Sequence, residues 1–322
     1  MIRGVVAVLA LISLGGYARA ASSLSEKVEV VAKAHAGKVG LFAEDLATHQ
    51  QVAINADTPV QTASVIKLAI LYHVLRELRT SRADWSDRLT LKKEDQVAGS
   101  GVLQFFDTPL QLTLHDVVSM MIDLSDNTAT NLLIDRFGIA AINQDTEAVG
   151  LKNTHLYKKV FKPATGELPP DYKKFGLGKT TPREMANLAV RIGTCQLGDS
   201  PATNADHALC SEAINIMRHQ FYRDAIPRYL EKLDSTEEGT AIANKTGSLD
   251  AVRNDVALIG TKKGLVVISA FTYDNADHSW EVDNAGELCI AKMAQMIMSA
   301  WAPDGLSDQT LNPWEKRAKA AQ

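Results

Sequence analysis

Thr62-Ala-Ser-Val-Ile-Lys-Leu-Ala-Ile-Leu71 reads as the start of a buried helix. Thr62 is expected as its N-cap, and Leu68, Ala69, Leu71, Val74, Leu75 and Leu78 continue an apolar face at spacings of three and four. Ser64 falls in the first turn, where free backbone N–H groups and the positive end of the helix dipole favour a developing anion. Lys67, three residues on, returns to the same face. A hydroxyl and an amine meeting at a helix N-terminus is what a serine nucleophile with a lysine base requires. Ser-x-x-Lys is expected about once by chance in a chain of this length, so its meaning depends on the rest of the chain.

Upstream, Leu24 to His35 has the amphipathic spacing of a helix, with Ser23 as cap and Gly37 as stop. Lys38 to Asp45 and Gln50 to Ile54 are short apolar or alternating runs and read as a hairpin. Downstream, helical spacing dominates to about Arg218. Thr113 caps one helix, which breaks at Asp123-Leu-Ser-Asp-Asn127. Thr128 to Phe137 and Ile139 to Val149 follow, each closed by a glycine. Thr181-Pro-Arg-Glu184 is a capping box with proline at the first helical position, opening a helix to Ile192. Val160 to Thr180 has no periodicity and carries three prolines and three glycines. Long irregular loops of this kind inside compact domains are usually functional.

The last third changes period. Gly239 to Thr246, Arg253 to Thr261 and Leu265 to Tyr273 read as strands, the last two joined by the turn Lys262-Lys-Gly264. Leu288 to Trp301 reads as a closing helix. Two hairpin strands are too few to stand alone, so they should join the C-terminal strands. The expected fold is therefore α/β of the two-domain α+β kind. A five-stranded antiparallel sheet is flanked by N- and C-terminal helices, with an all-helical domain inserted. The expected boundaries are 21–61 and 219–304 for the sheet domain, 62–218 for the helical domain and 305–322 for a polar, fraying tail.

The chain has 322 residues, of which 46% are hydrophobic, and a net charge of −4. No basic field points to nucleic acid or to a membrane surface. Residues 1–20 read as a secretory signal: Arg3 is the charged flank, Val5 to Leu14 the apolar run and Ala18-Arg-Ala20 the cleavage pattern. The mature chain is expected to be exported to the periplasm or medium, with no membrane contact, and to be a monomer. Export permits disulfides, and Cys195 and Cys210 flank a polar segment that a bridge could close. Cys289 sits in an apolar run and reads as a buried small hydrophobe. The eight histidines show no metal-ligand spacing, so neither a metal nor a cofactor is expected.

Two further motifs bear on Ser64 and Lys67. Ser125-Asp-Asn127 lies at a helix break, and Lys245-Thr-Gly247 is placed at the end of a strand. Alone, the first could be a helix cap and the second an ordinary strand end. In the order Ser-x-x-Lys, Ser-Asp-Asn, Lys-Thr-Gly, the three resemble the motif set of class A β-lactamases and penicillin-binding proteins. The resemblance covers about residues 23 to 303. It extends to Gly99-Ser-Gly-Val-Leu-Gln104, Ser125-Asp-Asn-Thr-Ala-Thr-Asn131, Thr180-Thr-Pro182 and Lys245-Thr-Gly-Ser248. It implies a β-lactamase/transpeptidase-like fold and a small-molecule β-lactam or a D-Ala-D-Ala peptide as substrate.

Ser64 would attack the carbonyl and form an acyl-enzyme, and a neutral Lys67 would take its proton. Ser125 would pass a proton to the leaving nitrogen, with Lys245 polarising it. The resemblance implies an oxyanion hole from the N–H groups of Ser64 and Ser248. It assigns Asn127 to the substrate amide, and Thr246, Gly247, Ser248 and Arg253 to binding the substrate, its carboxylate in particular. The loop departs from the family, which carries Glu-x-x-Leu-Asn there to activate the deacylating water. Here the stretch reads Phe161-Lys-Pro-Ala-Thr-Gly-Glu-Leu-Pro-Pro170. Glu167 is its only acid, and aligning Leu168 with the motif leucine puts Thr165 where the glutamate belongs. The leading expectation is β-lactam hydrolysis through a Ser64 acyl-enzyme. The alternatives are a D-alanyl-D-alanine carboxypeptidase or transpeptidase with slow deacylation and, ranked below it, a β-lactam sensor without turnover.

Overall fold

A computed structural model describes residues 24–230 and 241–315. The expected signal segment, Gly239 and the last residues of the tail lie outside the described residues. Helix α1 covers 24–34. Strands β1 (Lys38–Asp45) and β2 (Gln50–Ile54) have the bounds that the sequence runs predict. The remaining strands of the main sheet are β8 (Ile242–Leu249), β9 (Val252–Thr261) and β10 (Gly264–Tyr273). Between them run β3 (Val60–Gln61), α2 (Lys67–Arg79), β4 (Arg88–Leu91), β5 (Leu110–Thr113), α3 (Leu114–Asp123), α4 (Asn127–Phe137) and α5 (Ile139–Ala148). There follow β6 (His155–Leu156), α6 (Tyr172–Phe175), β7 (Gly178–Thr180), α7 (Pro182–Gly193) and α8 (Asn204–Arg218). Helices α9 (Ala285–Trp301) and α10 (Asp308–Leu311) close the chain.

The sheet is antiparallel in the order β2-β1-β10-β9-β8, so the N-terminal hairpin does join the C-terminal strands. Every residue of β9 is buried, as a strand covered on both faces must be. One face carries α9, with Ile290, Met293, Ala294 and Ile297 packed on Leu41, Ile259 and Ile268, and Val28 of α1 in the same core. The other carries α7 and the inserted helices. Phe42, Val256, Leu258, Val267 and Phe271 there share one core with Leu68, Leu71, Leu75 and Val117. The helical insert thus has no core of its own, and two short sheets interrupt its helices, β3-β7-β6 and β4-β5. No helix among the described residues is long and apolar enough to cross a membrane.

Three local expectations need correction. Thr62 does not cap α2: its side chain accepts no capping bond, and a single 3-10 turn, Ala63–Ile66, precedes the helix. Ser64 therefore sits in that tight turn. Lys245-Thr-Gly247 lies inside β8 rather than at its end. The tail does not fray between 305 and 315. Leu306 and Leu311 are buried against the sheet domain, Ser307 N donates to Gly260 O at 2.9 Å, and Trp314 stacks on His207 at 4.8 Å. A polar average concealed these four anchors.

Cys195 and Cys210 form the bridge, 15 residues apart, and it ties the end of α7 to α8. Cys289 is free and buried, as its apolar run implies. Closing a loop of this length stabilises a fold by about 3 kcal/mol in the chain-entropy picture. The double variant Cys195→Ala/Cys210→Ala is expected to unfold at lower denaturant by about that margin, with an unchanged denaturant slope. A loss of only a few tenths would show that the unfolded chain is already constrained there.

Candidate active site

Four elements converge where the sheet meets the helical insert. The 3-10 turn brings Ser64 against β8, and α2 starts one turn later with Lys67 wholly buried. Ser125 sits between α3 and α4 at φ 53°, a left-handed backbone that turns its side chain back toward α2. Asp126 pins this turn. Its carboxylate caps α4 through Ala129 N (2.9 Å) and accepts from Val102 N (2.7 Å) and Leu103 N (2.9 Å). Gly101, at φ 98°, is what lets the two loops touch: a Cβ there would lie 2.1 Å from the Asp126 carboxylate. Gly247 plays the same part on β8, where a Cβ would stand 2.8 Å from Ser64 N.

The polar groups form one network. Lys67 Nζ lies 2.6 Å from Ser125 O, 3.1 Å from Ser125 Oγ and 3.1 Å from Asn127 Oδ1. Lys245 Nζ donates to the same Ser125 Oγ at 3.1 Å and to Thr246 O at 2.8 Å. Ser125 Oγ thus bridges two buried amines. Two of the groups facing Lys67 can only accept, whereas the Ser125 hydroxyl can also donate. A neutral Lys67 is satisfied there as fully as a charged one.

Electrostatics push the same way. Burial, then the Lys245 charge, holds Lys67 well below the ordinary lysine value, with Asp126 partly opposing. Burial brings Lys245 down to about 7 against the pull of Asp255 and Asp123. Asp255, wholly buried and held by Asn244 Nδ2 and Ile226 N (both 3.0 Å), is raised to about 6 by that burial. A serine three residues before a buried amine held below its ordinary value, with a second amine on the Ser125 hydroxyl, offers the group types that nucleophilic attack and protonation of a leaving nitrogen require.

Ser64 opens into two lobes of about 550 Å³ each. One lies with Ser125, Thr246, Gly247, Asn254 and Tyr222, and also carries Asp224, Glu281 and Glu287. The other is lined by Asn127, Lys158, Val160, Phe161, Leu177, Leu249 and Asp250. Ser248 and Trp280 border both. A groove of about 660 Å³ between α1 and β2 contains none of these residues. Among the described residues no group of three or more His, Cys, Asp or Glu could hold a metal ion.

Ser64, Lys67, Ser125, Asn127, Lys245, Thr246, Gly247 and Ser248 are therefore brought together. Arg253 is not. It lies opposite Ser248 on β9, but its side chain is buried and turned to protein groups instead of the cavity. Glu167 is exposed and lines neither lobe. The loop faces the cavity through Val160 and Phe161 instead. Asn131 fixes that approach, its Nδ2 on Val160 O (3.0 Å) and its Oδ1 on Val160 N (2.8 Å). Sequence patterns alone do not single out Val160, Phe161 or Trp280 as site residues. Only Asn131 leaves a trace there, as the last residue of the stretch that begins at Ser125.

The chain matches the Beta-lactamase enzyme family over residues 23–301. A β-lactamase of Bacillus licheniformis is 26% identical over 274 residues, 83% of this chain and 80% of that one. One of Rhodobacter capsulatus is 26% identical over 268 residues, 81% of this chain and 84% of the other. Among solved structures, the β-lactamase from Sphaerobacter thermophilus superposes with a TM-score of 0.72 at 29% identity, covering 86% of this chain and 97% of that one. A PBP-A mutant, solved as an acyl-enzyme complex with penicillin G, gives 0.70 at 26% identity, covering 87% and 96%. With a family match across nearly all of the described residues, and the Ser-x-x-Lys, Ser-Asp-Asn and Lys-Thr-Gly motifs gathered at one cavity, this chain belongs to the β-lactamase enzyme family.

Proposed function

We propose that the chain is an exported, monomeric serine acyl-transfer enzyme that takes β-lactams as a Ser64 acyl-enzyme and releases them slowly. Neutral Lys67 accepts the Ser64 proton as Oγ bonds to the carbonyl carbon. The N–H groups of Ser64 and Ser248 hold the oxyanion, an arrangement worth about 3–4 kcal/mol per donor where it has been removed. As the C–N bond breaks, Ser125 donates its proton to the nitrogen, and the network passes the proton from Lys67 back to Ser125. Asn127 holds the substrate amide. Thr246 and Ser248 hold its carboxylate beside the Lys245 charge.

One observation carries the slow release: the loop presents Val160, Phe161 and Leu177 to the cavity, and no carboxylate of that loop faces it. Glu167, the sequence candidate for the deacylation base, stands in solvent. A water entering above an acylated Ser64 finds apolar side chains there in place of a base. Sequence alone ranks hydrolysis first and a D-alanyl-D-alanine peptidase second; this loop favours the second. A peptide acyl group is the smaller burden, since the fused ring of a β-lactam stays attached after opening and blocks the approach of water. The charged, apolar and small-residue pattern of residues 1–20 supports export.

Mass spectrometry after mixing with benzylpenicillin tests this reading. A Ser64 adduct that persists for hours, with D-Ala released from a D-Ala-D-Ala peptide, is the expected result. Loss of the adduct within seconds would restore the β-lactamase reading, and no adduct would end both. Glu167→Gln is expected to leave the adduct lifetime unchanged within about twofold, the scatter of an exposed substitution. A large increase in that lifetime would make Glu167 the base.

A further inference from the structure

The guanidinium of Arg253 is buried and turned to protein groups. It donates to the carbonyls of Leu249 and Ser279 and to Val252 O at 2.8 Å, and it pairs with Glu287 at 3.4 Å. Its remaining face carries the ring of Trp280, whose centroid lies 4.6 Å from the guanidinium carbon. Arg253 is 1% exposed, yet Trp280 is 67% exposed and borders both lobes.

The segment that carries Trp280 is held from several sides. Asn284 Nδ2 donates to Ser279 O at 2.9 Å while its Oδ1 caps α9. Asp277 accepts from Ser279 N (2.9 Å) and Ala285 N (2.8 Å). Arg228 pairs with Asp283. An exposed aromatic ring on a clamped loop has already lost its freedom before a ligand arrives, so contact with it costs little further entropy.

Trp280 shares its lobe with Val160, Phe161, Leu177 and Leu249, and Phe161 is itself 69% exposed. Arg253 also holds the carbonyl of Leu249, so one buried cation fixes two of these lining residues. A cation already stacked on the indole makes its free face a poor partner for a second cation. A neutral, flat, apolar group is the better match.

We propose that Trp280 is a specificity-determining residue that contacts an aromatic or apolar acyl substituent, and that Arg253 is its positioning residue, acting on the ligand only through Trp280 and Leu249. This rests on the acyl-enzyme reading above. The test measures the rate of Ser64 adduct formation with two probes: benzylpenicillin and the penicillin that carries an acetyl in place of its phenylacetyl group. They share the ring, the amide and the carboxylate.

The unaltered chain is expected to prefer benzylpenicillin by about tenfold, the size of one good aromatic contact. Trp280→Ala should bring the ratio of the two rates close to one. Arg253→Met should do the same, with no further change in the ratio when the two are combined. General structural damage slows both probes and leaves the ratio alone. A ratio preserved in Trp280→Ala overturns the proposal. So does an Arg253→Met variant that folds yet keeps the ratio of the unaltered chain, because Arg253 then does not act through Trp280. Should Arg253→Met fail to fold, the rate ratio in Trp280→Ala, where the lost side chain is exposed, still decides the proposal. If neither probe acylates the unaltered chain, it is the acyl-enzyme reading that has failed.

Discussion

Replacing Lys67 by methionine is expected to slow acylation of Ser64 by about 10²- to 10⁴-fold, the usual worth of a positioned proton acceptor. The four-atom stem of the side chain is kept and the nitrogen is lost. Ser125 O and Asn127 Oδ1, which Lys67 now satisfies, lose a donor. Each buried acceptor so stranded costs about 1–3 kcal/mol, offset in part because a wholly buried amine no longer has to be desolvated. Stopped-flow acylation by benzylpenicillin gives the rate, and a denaturant curve gives the stability. Ser64→Ala serves as the zero, with no adduct at all. Acylation by Lys67→Met within about tenfold of the unaltered rate, well short of the general-base range, would move the proton to another group.

The same pair sets the pH dependence. The acylating form has Lys67 neutral and Lys245 charged. Lys67 is lowered by burial and by the Lys245 charge, so acid stops the reaction by protonating it. Lys245 sits at about 7 without substrate, so alkali stops the reaction by removing its proton, and a bound carboxylate shifts that limb upward. A bell-shaped profile is expected, and Lys67→Met should lose its acid limb. Lys245 makes a contribution to stability of one sign. Between about 7 and 10.5 the unfolded chain holds the Lys245 proton and the folded chain does not, so this contribution rises with pH across that window. It is lost as pH falls toward 7 and, for Lys245, is level below.

The chemistry at Ser64 is legible in the sequence because it is local. Ser-x-x-Lys and Ser-Asp-Asn each place their side chains through one turn of backbone, and short apolar or alternating runs delimit β1 and β2. Lys245-Thr-Gly247 is harder to place. Gly247 has no strand preference, so the run reads as ending there, and only its approach to Ser64 N explains why a glycine continues β8. Glu184 shows the same limit. As predicted, Thr181 caps α7, but the Glu184 carboxylate turns away to Asn153 and Thr154 Oγ1, partners no spacing rule connects. Arg253 is assigned to the substrate by the family resemblance. Its direction is decided by Glu287, Trp280 and the Ser279 carbonyl, which come from a segment 26 or more residues away. Motif spacing reports which groups a backbone can present, not which of them tertiary partners will already have claimed.

Val160→Glu is expected to shorten the life of the benzylpenicillin adduct by about 10²- to 10⁴-fold, the range of an added general base. Aligning the loop on Leu168 puts Thr165 at the place of the family glutamate, but the structure selects Val160. Its N–H and C=O are both held by Asn131, it borders the same lobe as Ser64, and it is buried. A carboxylate at this position starts from a fixed backbone and points into a mostly apolar lobe. Burial raises a carboxyl toward neutrality, the range in which a general base is most effective at physiological pH. Val160→Gln matches Glu in size and polarity but has no basic oxygen to accept a proton, so its adduct should persist as in the unaltered chain. Adduct decay in both variants, followed by mass spectrometry, separates base catalysis from simple loosening of the loop. If both decay alike, packing controls release. If neither decays while both still acylate, water reaches the acyl carbon by a route this loop does not govern, and slow release would have to arise on the Ser125 side of the cavity.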